Sequence, residues 1–159
     1  MTPREAAAAL IAVMPVSVSV ATLEEYGITG TPDRACGMTR ELLSLNLFWV
    51  KAAIDAHIPP TYRSAVMEVL LQQIEAGWGT TYAAGAMTWS EFMAQYKERS
   101  ERYAQLVEAG ASGLAVHTEV AGWWEEDRLI EEEYRRNVLT LIIDSVPVER
   151  YGQLLDETG

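Results

Sequence analysis

The apolar segment at residues 39–60 constrains the fold of this chain more than any other part of the sequence. Wound as a helix, it carries apolar side chains over most of its circumference and leaves only a narrow polar ribbon. Such a helix belongs inside a bundle, because it has to bury its surface on several sides. Pro59 and Pro60 end it, since proline lacks the backbone N–H that the next turn needs. We therefore expect a buried central helix at about residues 39–58.

Capping signals predict further helices before and after the central one. Thr2 and Glu5 fit a capping box, as do Thr88 and Glu91 later in the chain, because in each pair a side chain can bond the other residue's backbone N–H. Helices are expected at about residues 2–14, 16–26, 60–77, 88–110 and 118–145, with a last short one from 147. The sequence thus predicts a single all-α domain over residues 1–159, a bundle of about six or seven helices.

Glycine gives two further expectations about helix ends. Gly27 can take a positive φ at the end of the second helix, which would let Ile28 pack back on Leu23. The central helix could start as early as Thr31, although Gly37 could split off a short first piece.

The long helix expected at residues 118–145 carries charged residues at i,i+4 spacing. Glu131 with Arg135, and Glu132 with Arg136, have the favourable order, with glutamate nearer the helix start. We expect each to form an ion pair worth roughly 0.2–0.5 kcal/mol on an exposed surface.

The chain is strongly acidic. Its 12 Lys and Arg stand against 23 Asp and Glu, for a formal net charge of -11 and a pI near 4.6. A surface of this sign repels phosphate backbones and anionic lipid, and the sequence has no basic run. We therefore expect neither nucleic acid nor a membrane as a direct partner.

Cysteine content and the N-terminal segment predict the compartment. Cys36 is the single cysteine and cannot form an internal disulfide, which favours a reducing cytoplasm. Residues 6–21 resemble the apolar core of a signal peptide. Against a signal peptide, the only basic residue before them is Arg4, Glu5 follows Arg4 directly, and Pro15 interrupts the apolar run. The sequence contains no run of about 18 uninterrupted apolar residues, so we expect no transmembrane helix.

Neither histidine fits a metal-binding pattern. Asp55 precedes His57 by two residues and Glu119 follows His117 by two, a spacing that points helical side chains to different sides. The Glu-x-x-His pairs of di-iron bundles and the Pro-Cys-x-x-Cys of zinc deaminases are both missing from the sequence. We expect no metal and no cofactor, and interpret the histidines and Cys36 as structural, with any chemical role left open.

Motifs of nucleophilic and nucleotide-dependent catalysis are missing as well. There is no Gly-x-Ser-x-Gly elbow, and Gly77 and Gly79 are not followed by the Gly-Lys-Ser/Thr of a phosphate loop. An enzyme is therefore not favoured. A hydrolase-type enzyme that uses His57 or His117 as a base is kept as a third hypothesis.

Two adjacent tryptophans limit how the long helix can pack. Trp123 and Trp124 diverge by about 100° on one helix and cannot both face the same core. One of them is expected at a second interface, under a loop or at the surface. A partner contact and packing of Trp124 beneath the chain's own 78–87 loop are equally compatible with the sequence.

The leading hypothesis is a non-catalytic acidic helical protein that binds another protein, of a regulatory, immunity or inhibitor type. Negative charge favours a basic partner, and an aromatic surface near Trp123 or Trp124 favours self-association, because Trp is enriched at protein interfaces. The residues predicted to bind the partner are Trp124, Glu125, Glu126, Glu132 and Glu133.

Small-molecule binding is the alternative hypothesis. The glycine-rich segment at residues 77–86 has little charge and is flanked by aromatic residues, so it could close over a pocket as a lid. The residues predicted to line that pocket are Trp49, Trp78, Tyr82 and Trp89.

Overall fold

The computed structural model describes residues 1–15, 17–82 and 86–158. Within these ranges it contains seven α-helices of eleven or more residues, one of six residues, and no strand, which confirms the all-α bundle. None of these helices combines the length and apolar character needed to span a bilayer. The helices are α1 (Pro3–Val13), α2 (Val20–Glu25), α3 (Pro32–His57), α4 (Pro60–Ala76), α5 (Trp89–Glu108), α6 (Gly113–Glu126), α7 (Arg135–Ser145) and α8 (Val148–Thr158).

The predicted central helix is α3, and α2, α4, α5 and α8 all pack against it. It takes the earlier of its two possible starts, where the Thr31 side chain accepts a hydrogen bond from the Arg34 N–H at 3.2 Å. Gly37 lies inside the helix without breaking it. Its 26 residues span roughly 39 Å at 1.5 Å per residue. Because α3 is that long, the other helices can surround its two halves separately.

Two hydrophobic clusters lie along α3. The first cluster surrounds its C-terminal half and includes residues of α1, α4, α8 and the start of α5. The second cluster surrounds its N-terminal half and includes residues of α2, α6, α7 and the end of α5. Representative fully buried side chains are Leu10, Leu47, Leu70, Phe92 and Tyr151 in the first cluster, and Leu23, Met38, Leu45, Tyr103 and Leu141 in the second.

α2 is shorter than the predicted helix at residues 16–26. It begins after Ser19, whose side chain accepts a hydrogen bond from the Thr22 N–H at 3.1 Å; Val16 lies outside the described residues. Its end has the predicted form, since Gly27 has φ 76 and the Ile28 N–H donates to the Leu23 carbonyl at 2.9 Å. Local signals therefore place this helix end correctly.

The single long helix predicted at residues 118–145 is wrong. The chain forms α6 and α7 instead, and α6 begins at Gly113, five residues before the predicted start at residue 118. Arg128 has φ 61, and around it the Leu129 N–H donates to the Trp124 carbonyl at 2.8 Å. This hydrogen bond is typical of a helix end at which glycine usually takes the positive φ. Because an arginine stands there, the sequence does not indicate that the helix ends. The turn lets α7 pack back against α6.

Asn46 connects the two clusters in the interior of α3. Its side-chain Nδ2 donates to the carbonyl of Ser145, the last residue of α7, at 3.1 Å, and its Oδ1 accepts from the Tyr151 hydroxyl of α8 at 2.6 Å. Burial raises the pKa of Tyr151, so the hydroxyl keeps the proton that it donates. One amide therefore fixes α7 and α8 against the central helix.

Tyr151→Phe should reduce the free energy of unfolding by about 1–3 kcal/mol, because the buried Asn46 Oδ1 would lose its donor. Tyr62→Phe removes the same hydroxyl from a side chain that is 54% exposed and should leave stability almost unchanged. Urea unfolding of both variants measures the difference. Equal stabilities would show that the Asn46 connection contributes nothing.

Arg128→Gly should stabilise the protein by about 0.5–1 kcal/mol, because glycine avoids the steric cost of positive φ but gains entropy in the unfolded chain. Lys97→Gly is the matched control, since it removes an exposed cationic side chain from the interior of α5 and should destabilise by about 1 kcal/mol. The thermal or urea midpoints of the two variants are expected to shift in opposite directions. A loss of stability in Arg128→Gly would contradict the positive φ of Arg128.

Candidate functional site

Four of the predicted partner-binding residues lie within residues 125–133, the end of α6 and the connection that leads to α7, which we call the acidic turn. Since α6 and α7 pack against each other, the chain reverses direction here. Its six carboxylates belong to Glu125, Glu126, Asp127, Glu131, Glu132 and Glu133. One group of three carboxylates lies at the end of α6, and the other group lies just before α7.

Two arginines hold the acidic turn in place. Arg34, in the first turn of α3, donates from Nη2 to both carboxylate oxygens of Glu131, at 2.8 and 2.7 Å. Arg135, at the start of α7, forms an ion pair with Glu125. The hydrogen bond from Arg34 lowers the pKa of Glu131, which keeps this carboxylate ionised. Both ends of the turn are thereby tied to neighbouring helices.

The ion pairs predicted from helical spacing are therefore wrong. Glu131 pairs with Arg34 instead of Arg135. Glu132 begins a 3-10 turn, Glu132–Tyr134, ahead of α7, so it and Arg136 are not four residues apart on one α-helix. The i,i+4 rule fails because the helix that it assumes does not form.

The other four carboxylates of the turn, those of Glu126, Asp127, Glu132 and Glu133, are exposed. In the part of the chain that the structure describes, none of them forms an ion pair. Residues 125–136 contain six carboxylates against three arginines, so the local charge stays negative. The turn presents unneutralised carboxylates on a fixed backbone.

The structure separates Trp124 from the acidic surface. Trp124 is 2% exposed and packs in the second cluster, whereas the described residues of the 78–87 loop border the first. Trp123 is half-buried: its ring stacks on Tyr103 with centroids 5.9 Å apart, and the Arg102 guanidinium lies 4.0 Å from its centroid. The two indoles diverge as helical geometry requires, and α5 covers the outer one.

The predicted aromatic pocket is brought together only in part. Trp78 and Trp89 meet edge to face, with centroids 5.3 Å apart, and Tyr82 is 4% exposed in the same first cluster. Trp49 lies elsewhere, between the two clusters. The predicted lid includes residues 83–85, which lie outside the described ranges. Trp78 and Trp89 fill space against each other, and Tyr82 is buried in the cluster that they border.

His57 has a carboxylate partner that the sequence did not indicate. Its Nδ1 lies 2.6 Å from Oδ1 of Asp156 on α8, and beside them a cavity of about 420 Å³ is bordered by Trp49. A carboxylate at Nδ1 orients a histidine as it does in catalytic triads. However, the described residues that line this cavity include no Ser, Thr or Cys, and free Cys36 lies at the start of α3. Catalysis by His57 stays a prediction.

His117 lies 5% exposed on α6 and lines a cavity of about 720 Å³. Its Nδ1 is cut off from solvent and finds no hydrogen-bond partner among the described residues. Burial lowers the pKa of His117 to about 4, so the ring is neutral near pH 7. Within the same ranges, no group of three or more His, Cys, Asp or Glu side chains could hold a metal ion.

A groove between α3 and α5 was missed by the sequence analysis. It has a volume of about 760 Å³ and is lined mainly by apolar side chains. The one signal in the sequence was Phe48, an aromatic residue beside the polar ribbon of the central helix. The apolar lining residues are Phe48, Ala52, Met93, Ala94, Tyr96 and Ala104.

Comparisons of the chain with protein-family models, with curated proteins and with solved structures found no match.

His117→Phe should make the stability of the protein less sensitive to acid. The unfolded chain takes up a proton at His117 below about pH 6.5, whereas the folded chain does so only near pH 4, so unfolding becomes more favourable as the pH falls through this window. The wild type should lose about 2–3 kcal/mol more than the variant between pH 7 and pH 4.5. Urea midpoints at the two pH values measure this, and parallel losses would contradict it.

Proposed function

We propose that this protein binds a basic protein partner through the acidic turn. The observation that carries the proposal is the set of four exposed carboxylates, on Glu126, Asp127, Glu132 and Glu133, that no described cation neutralises. Lysine and arginine side chains of a partner would form charge-assisted hydrogen bonds with them. The role is non-catalytic, of a regulatory, immunity or inhibitor type.

Rigidity of the acidic turn supports this proposal. Hydrogen bonds around Arg128 fix the end of α6, and the ion pairs Arg34–Glu131 and Arg135–Glu125 tie the turn to α3 and α7. A surface that is already ordered loses less conformational entropy when a partner binds. Glu125 and Glu131 thus act as anchors within the chain, and the four exposed carboxylates are left for the partner.

The charge of the whole chain would assist the encounter. A formal charge of -11 attracts a basic partner over distances up to the Debye length, about 8 Å at physiological ionic strength. Association should therefore be faster at low salt. We propose the cytoplasm as the compartment, because Cys36 has no second cysteine with which to form a disulfide.

Self-association remains a separate prediction, for which Trp123 and Trp124 were the expected basis. Trp124 is buried, and Trp123 is covered by Tyr103 and Arg102 of the same chain. These rings do not support a contact between copies. A partner contact through Trp124 would require α6 to move.

Small-molecule binding is the second proposal. Trp78, Tyr82 and Trp89 do not carry it, since Trp78 and Trp89 pack on each other and Tyr82 is buried in the first cluster. The cavity at His117 supports it better, because it combines apolar side chains with a buried polar group, which is the usual means of orienting a ligand.

Replacing Glu126, Glu132 and Glu133 with lysine should abolish capture of the partner. The protein would be immobilised and exposed to lysate of its native source at about 50 mM and about 500 mM NaCl, a range over which screening increases strongly. A specific band bound at low salt and lost at high salt is expected for the wild type only.

The matched control replaces Glu24, Glu75 and Glu108 with lysine. All three are exposed and lie in the last turns of α2, α4 and α5, where lysine favours the helix dipole, and the change in net charge is the same. Capture by the control but not by the acidic-turn variant supports the proposal. Capture by both variants, or by neither, would assign binding to another surface or to overall charge.

A further inference from the structure

The groove between α3 and α5 is electrically neutral on a strongly acidic chain. Its charged lining residues are Lys51 and Asp55 on α3, and Lys97 and Glu101 on α5. These four charges cancel, although the whole chain has a formal charge of -11. Two copies of so acidic a chain repel each other over most of their surfaces. A neutral groove with an apolar lining is a place where two copies can approach.

Two of the four charges have no partner within their own chain. Lys51 and Asp55 form an ion pair at 2.9 Å, whereas Lys97 and Glu101 form none among the described residues. Both of these side chains are exposed. The helix α5 thus presents one free cation and one free carboxylate, four residues apart on one face. A matching surface has to offer a carboxylate and a cation at the same spacing.

A second copy of α5 offers these two charges when it runs in the opposite direction. With a two-fold axis at the level of Arg99, Lys97 of each copy faces Glu101 of the other. The same register brings Ala94 opposite Ala104. Residues 94, 97, 101 and 104 alternate in steps of three and four, which is the spacing of a seam between paired helices.

We propose that this groove is a contact between two copies of the chain, in which α5 of each copy lies antiparallel along the groove of the other. The proposal goes beyond partner binding by the acidic turn and does not depend on it. It gives self-association a basis in self-complementary charge, in place of the two tryptophans of α6.

Small side chains let the second helix enter the groove. Ala52 on α3 and Ala94 on α5 are exposed, Ser100 and Ala104 are half-buried, and all four line the groove. The distance between packed helices depends on the size of the side chains at the contact, so residues of this size allow a close approach. The half-buried ring of Phe48 adds apolar area on the α3 side.

An exposed apolar side chain continues the groove along α5. Val107 is 39% exposed, and it lies at seven-residue spacing from Ser100 and Met93, which both line the groove. Residues at this spacing share one side of a helix. In the antiparallel register, Val107 of one copy comes beside Met93 of the other. The dimer would therefore cover an apolar side chain that a single copy leaves in water.

Glu98 lies close to the two-fold axis, where its two copies would repel each other. Its carboxylate forms an ion pair with Arg99 of its own chain at 3.1 Å, which reduces that repulsion. Glu98 does not line the groove, so it would lie at the solvent-exposed side of the helix pair, where water screens its charge.

Sedimentation equilibrium of the full chain over about 5–500 μM would measure dimerisation, because this range covers the weak affinities of small interfaces. The wild type is expected to form a dimer. Lys97→Glu and Glu101→Lys should each weaken it at least tenfold, because by symmetry each substitution turns two attractive contacts into repulsive ones. The two substitutions change the net charge in opposite directions, so opposite effects on dimerisation would assign it to total charge and overturn the proposal.

The double variant Lys97→Glu/Glu101→Lys should dimerise as the wild type does, since it exchanges the charges and keeps both pairs. Arg136→Glu and Glu75→Lys are the matched controls, because they make the same charge changes at exposed positions of α7 and α4 outside the groove. Both controls should dimerise normally. Single variants that dimerise normally, or a double variant that does not recover, would overturn the proposal. A wild type that stays monomeric would also overturn it and leave the groove to a small apolar ligand or another protein.

Val107→Asp tests the apolar part of the contact and should weaken the dimer at least tenfold, because it places a carboxylate beside Met93 of the other copy. Ile143→Asp is its matched control, since Ile143 is 45% exposed on α7 and does not line the groove. Circular dichroism would confirm that both variants are folded, and equal dimerisation of the two would contradict the proposed register. The acidic-turn variant should dimerise normally, and Lys97→Glu should still capture the basic partner, so failures of the two proposals are distinguishable.

Discussion

The hydrogen bonds of Asn46 are the interaction on which the arrangement of the helices depends. Asn46 lies between the two hydrophobic clusters of α3, and it bonds both the end of α7 and Tyr151 of α8. An amide buried to this degree is costly unless its polar atoms are satisfied. The apolar clusters permit many packings of neighbouring helices, but only those that supply a donor and an acceptor at this point satisfy Asn46.

A second polar contact of α3 fixes the position of α5. Arg99 donates to both carboxylate oxygens of Glu41, at 3.0 and 3.1 Å, and both side chains are almost buried. Breaking such a pair on one side would leave an uncompensated charge. Polar bonds of α3 thus fix α5, α7 and α8, and the ion pair from Arg34 to Glu131 fixes the acidic turn. The proposed partner surface is rigid because the central helix reaches it.

Two of the proposed surfaces arise from different features of the chain. The acidic turn depends on charge that the sequence displays openly, in six carboxylates within nine residues. The cavity at His117 depends on the meeting of α6 and α8, which are far apart in sequence. Charge composition could therefore predict the first surface and most of its residues. It could not predict the second, because no short motif records which helix starts come together.

The sequence by itself determined what short-range chemistry can encode. The apolar circumference of α3 required a central helix, Thr88 and Glu91 form their capping box, and Gly27 ends α2 as expected. Tertiary structure decided the break at Arg128, the burial of Trp124 and the surroundings of His117. An arginine takes positive φ only when packing of α7 on α6 compensates its steric cost, and that compensation lies in contacts between helices that no local pattern contains.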